Sequence, residues 1–162
     1  MSTLKAIDVC KVRPLTTVEQ LYKGKCSDVP AKPGVYFVCV HSNFEVEFTE
    51  TTTAISEHDG QNLLYPKEAL TQAFAKTDKQ ILYIGTAGAS LQRRIKQLVQ
   101  YGYGEGNNHQ GGRALWQIRD NRKLLVGYIV CDQAGVAEAQ LLHEYRDKYG
   151  VLPVANRQLP AL

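Results

Sequence analysis

An α+β fold, with a small mixed β-sheet flanked by helices, is what the order of apolar patterns predicts. Two strand-like runs come early, helical patterns follow, and a late strand leads into a long closing helix. The length of 162 residues suits one domain with one core, with residues 1–32 as a lead-in. Residues 33–156 then form the folded core, with an acidic insertion at about 41–79.

In order, Val18 to Tyr22 reads as a short helix closed by Gly24. Pro33-Gly34 opens Val35 to Val40, a run of strand formers. Ser42-Asn43 turns the chain into an alternating run, Phe44 to Thr49, which predicts a β-hairpin. Thr51 to Asn62 is polar and reads as a loop. Pro66 suits the first turn of a helix reaching about Lys76. Ile81 to Ile84 is the next strand, ended by Gly85, and Ser90 caps a helix from Leu91 to about Tyr101. Tyr101 to Gly112, rich in glycine and asparagine, is expected to be a mobile loop. A short helix from Arg113 to Ile118, a strand from Leu124 to Cys131 and an amphipathic helix that follows Gly135 and runs through Tyr149 complete the chain, with Gly150 as the stop.

The net charge is only +3, but it is unevenly spread. Arg93, Arg94, Lys96, Arg113, Arg119, Arg122 and Lys123 crowd one stretch, while Glu45, Glu47, Glu50, Glu57, Asp59 and Glu68 dominate the insertion. The basic stretch fits either a solvated surface or a polyanionic partner. Cys10, Cys26, Cys39 and Cys131 form no C-x-x-C pair, so reduced thiols are expected rather than a zinc cage. His143-Glu144-Tyr-Arg-Asp147 has Asp where a zinc helix needs its second His. Without a signal peptide pattern or an apolar run of roughly 20 residues, the expected location is the cytoplasm, with no membrane partner.

Two helices place a charge on their apolar stripe. Leu91, Arg94, Ile95 and Leu98 share a face, and so do Glu138, Leu141, Leu142 and Tyr145. Charges so placed are costly unless paired or liganded, so Arg94 and Glu138 either pair with each other or build a site for phosphate and metal. Arg93 and Lys96 point away, as do Gln97 and Gln100. His109 and Arg113 flank Gly111-Gly112 at a helix start, a geometry that favours phosphate.

Gly34-Val35-Tyr36 and Tyr83-Ile84-Gly85 resemble the signature tripeptides of the GIY-YIG nuclease superfamily. Arg94 before Ile95, Glu138 opening the late helix, and Asn156 after the Gly150 turn follow in the family's order. The resemblance implies a stand-alone metal-dependent endonuclease, with DNA as the expected substrate and no small-molecule cofactor. A partner protein or a second copy of the chain would lend specificity. By the same resemblance, Glu138 binds one Mg²⁺ or Mn²⁺ and Arg94 holds a phosphate oxygen. Tyr36 or Tyr83 orients or deprotonates water, and Asn156 locks the helix end or the tyrosines. Arg93, Lys96, His109 and Arg113 are the expected nucleic-acid contacts. The sequence departs from the family in its extended connection, in Thr86 where many members have Lys, and in Leu98 where many have His or Tyr. The general base therefore stays open between the tyrosines and His109. The alternative is a nucleic-acid-binding module on the same fold that has lost cleavage.

Overall fold

The computed structural model describes residues 15–58, 60–106 and 111–157. The elements run β1 (Thr16–Thr17), α1 (Val18–Lys23), β2 (Gly34–Cys39), β3 (Glu57–His58), β4 (Gln61–Asn62), α2 (Lys67–Ala75), β5 (Ile81–Ala87), α3 (Leu91–Gly102), β6 (Leu125–Val130) and α4 (Ala134–Tyr149). Two 3-10 turns, Arg113–Gln117 and Asn121–Lys123, lie between α3 and β6.

Local chemistry sets the helix ends. Thr17 and Gln20 form a reciprocal capping box on α1. Ser90 accepts from the Arg93 N–H at the start of α3. Gly150, at φ 77°, closes α4 by donating its N–H to Arg146 O.

The fold is α+β, but the expectation of a mixed sheet is corrected. The main sheet runs β1-β6-β2-β5, and every pairing in it is antiparallel. The expected hairpin of Phe44 to Thr49 on β2 is also absent. β2 has only two edges, and β5 and β6 take both. The segment instead folds onto the first 3-10 turn, where Phe48 bridges Ile118, Thr49 N–H donates to Gln117 O and Arg119 N–H to Glu47 O. The stretch read as a loop after Thr51 contains the small β3–β4 ribbon.

The sheet separates two apolar layers. Val35, Phe37 and Ile84 pack with Leu141, Leu142 and Tyr145 of α4. On the other face Tyr36, Val38 and Tyr83 pack with Leu91, Ile95 and Leu98 of α3. Between Val38 and Cys39 the register steps from Tyr83 to Ile81, leaving Leu82 as an extra residue. This bulge resets the alternation, so that Leu82 and Tyr83 both join the α3-side cluster. Tyr83 itself pairs in regular register with Val38, which puts it in the same layer as Tyr36.

Candidate active site

Four elements bring four of the expected residues together. Tyr36 comes from the central strand β2 and Tyr83 from the edge strand β5. Their ring centroids are 6.1 Å apart, at an interplanar angle of 51°. Tyr36 is hydrogen-bonded both to Tyr83 and to the Arg94 guanidinium of α3, which donates. Glu138, from α4, acts electrostatically on Tyr83 and is itself acted on by Arg94.

Burial dominates the electrostatics of the group. Tyr36 is 1% exposed, and burial pushes its hydroxyl well above the ordinary tyrosine range; Tyr83 adds to the rise and Arg94 offsets part of it. Tyr83 is raised as well, chiefly by burial and further by the Glu138 carboxylate. The Glu138 carboxyl is raised by burial and pulled partly back by Arg94. Arg94 lowers both phenols, and burial outweighs it.

Glycines permit the close packing. A Cβ on Gly85 would lie 2.5 Å from Cζ and 2.6 Å from the hydroxyl oxygen of Tyr36. Tyr36 is opposite Gly85 in the β2–β5 register, so the ring occupies the space a side chain would need. One on Gly111 would lie 2.9 Å from the Tyr83 hydroxyl. The glycine turn therefore closes over Tyr83, a contact that spacing along the chain does not reveal.

Asn156 meets the strand rather than the rings. Its Oδ1 accepts from Ile84 N–H at 2.9 Å and its Nδ2 donates to Ile84 O at 2.8 Å. Ala155 N–H adds a bond to Leu82 O. The C-terminal segment thus satisfies the open edge of β5 where β2 does not reach. Of the two roles expected for Asn156, the helix-end lock is not what these bonds perform. They fix the residue between Tyr83 and Gly85.

The remaining candidates are dispersed. Arg113 follows the glycine turn, with Nε donating to Leu63 O and the guanidinium 4.9 Å from the Tyr65 ring centroid. Arg93 is exposed on the outer side of α3. Lys96 lines a groove of about 470 Å³ with Lys23 and Lys25 of the α1 region, apart from the tyrosines. His109 lies outside the described residues. Gln97, expected to point away from Arg94, accepts from its Nη1 at 3.1 Å; the i, i+3 spacing was the signal for that contact. A cavity of about 500 Å³ between residues 49–53 and 118–123 includes none of the four clustered residues.

Among the described residues no group of three or more His, Cys, Asp and Glu side chains could hold a metal. Glu138 is a half-buried carboxylate whose charge acts on the Tyr83 hydroxyl. That donor set fits a small hard cation that keeps most of its waters, and it does not fit zinc. No helix among the described residues is long and apolar enough to cross a membrane. Compared with known proteins, the chain matches no family model, no curated protein and no solved structure.

Proposed function

We propose that the protein is a GIY-YIG-like metal-dependent nuclease that hydrolyses phosphodiester bonds, with DNA as the expected substrate. The observation that carries the reading is the convergence of Tyr36, Tyr83, Arg94 and Glu138 from four separate elements. A purely structural pairing of Arg94 with Glu138 would not require two buried tyrosines hydrogen-bonded to each other beside it.

Glu138 is the residue that would hold a divalent ion. When bound, such an ion supplies Lewis-acid polarisation of the scissile phosphate and stabilises the leaving oxygen. Arg94 contributes a fixed positive charge for a non-bridging phosphate oxygen, and Gln97 and Tyr36 restrain its guanidinium. Tyr36 and Tyr83 orient the attacking water through their hydroxyls, and the general base stays open between these tyrosines and His109. Asn156 and Gly85 hold the strand and the ring that place those hydroxyls.

The test is Glu138→Gln, assayed with Mg²⁺ on duplex, single-stranded and branched substrates. Cleavage should be lost, while binding stays the same or tightens because a negative charge beside phosphate is gone. Turnover retained in the folded variant would move the metal site elsewhere. Binding without cleavage in the wild type, with or without metal, would favour the inactive module.

A further inference from the structure

The acidic insertion, unassigned in the sequence, supplies an aromatic platform beside this site. Tyr65 is fixed by the side-chain amide of Gln117, which is 1% exposed. Gln117 Oε1 accepts from Tyr65 N–H at 2.9 Å and Nε2 donates to Tyr65 O at 3.0 Å. Two arginines from distant parts of the chain converge on the ring. The Arg113 guanidinium lies 4.9 Å from its centroid and that of Arg157 lies 5.9 Å away.

Each arginine is one residue from a group that touches β5. Gly112 packs on the Tyr83 ring, where a Cβ would lie 3.3 Å from two ring carbons. Asn156 clamps Ile84. Both arginines therefore border β5 through their chain neighbours. The ion pairs among the described residues, Lys23 with Glu19 and Arg119 with Glu47, involve neither arginine. The buried hydroxyl of Tyr101 has no hydrogen-bond partner and feels the Arg113 charge. Two guanidinium groups pre-positioned on one ring make a receptor for an anion.

We infer that Arg113 and Arg157, held by Tyr65, bind a backbone phosphate of the substrate strand next to the scissile one. This rests on the nuclease reading and extends it: the insertion becomes part of the substrate face, and recognition requires a strand rather than a mononucleotide. Arg157 carries the sharper test, because it is exposed and its loss spares the Arg113–Leu63 bond.

The experiment is fluorescence anisotropy of a labelled duplex and a labelled single strand in EDTA, across a salt series, with the full chain. For Arg157→Ala and for Arg113→Ala the dissociation constant should rise roughly 5-fold. The slope of log K against log salt should fall by up to about 0.9 on duplex or about 0.7 on single strand, because the two arginines share one phosphate. Lys148→Ala, which removes a charge from the far end of α4, should keep the wild-type slope. Arg157→Ala and Arg113→Ala with unchanged affinity and slope would overturn the contact while leaving the nuclease reading intact. A wild-type chain that neither binds nor cleaves either nucleic acid would overturn both.

Discussion

Asn156 offers the most direct test of how the site is held, because its two bonds to Ile84 can be removed or reversed by single substitutions. In Asn156→Ala both the N–H and the C=O of Ile84 lose their partner. Ile84 is fully buried, and an unsatisfied buried backbone group costs about 1–3 kcal/mol. Asn156 itself is only half-buried, so water replaces part of the loss, and about 2–3 kcal/mol is expected in total. For a chain of this size that lowers Tm by roughly 5–10 °C. Asn156→Asp is nearly isosteric and more diagnostic. One oxygen still accepts from Ile84 N–H, but the other stands where Nδ2 donated to Ile84 O at 2.8 Å. Only a protonated carboxyl can donate there, so its folded-state pKa rises above the unfolded value near 3.9. The stabilising contribution is then fully present below that unfolded value and is lost as pH rises through the folded one. Urea denaturation at pH 4.5 and 7.5 reads this directly. The deficit of Asn156→Asp relative to wild type should be larger at 7.5. A pH-independent deficit, or an Asn156→Ala within 0.5 kcal/mol of wild type, refutes the clamp.

Two further outcomes follow from packing and burial. Gly85→Ala puts a methyl 2.5 Å from Tyr36 Cζ, so a ring with no free space must shift. The expected cost is about 1–3 kcal/mol of stability and on the order of 10²-fold in cleavage rate, read by urea melts and single-turnover assays; a variant equal to wild type in both would show that the ring contact is dispensable. Burial raises the Cys26 thiol to about 11, and burial with the Asp78 carboxylate raises Cys39 to about 12. Tyr145, donating to Asp78 Oδ1 at 2.7 Å, is also raised, first by burial. Unfolded thiols ionise from about pH 8.5 while the native ones keep their protons. Stability is therefore fully present below that pH and declines as pH rises toward 12. A urea midpoint under reducing conditions that stays constant from pH 8 to 10.5 contradicts the burial of these groups.

What the sequence determined by itself is what short-range chemistry determines. Val35 to Val40 and Ile81 to Ile84 read as strands because their residues favour an extended, buried backbone. Thr17, Ser90, Gly24 and Gly150 bound helices through bonds to residues within a turn or two. The apolar stripes of α3 and α4 put Arg94 and Glu138 on inward faces, and both are half-buried. Partner choice needed the tertiary structure. Phe44 to Thr49 alternates well enough for a hairpin, yet it competes for a strand edge that β5 and β6 already occupy. The Leu82 bulge leaves no periodic trace in four residues, although it puts Leu82 in the same layer as Tyr83. Gln117 reads as an ordinary polar residue, and the resemblance that marked Asn156 did not name its strand partner; each clamps a backbone segment more than 50 positions away. An amide that satisfies a distant strand's open edge depends on which edges remain unpaired after the sheet has formed, and local sequence carries no record of that.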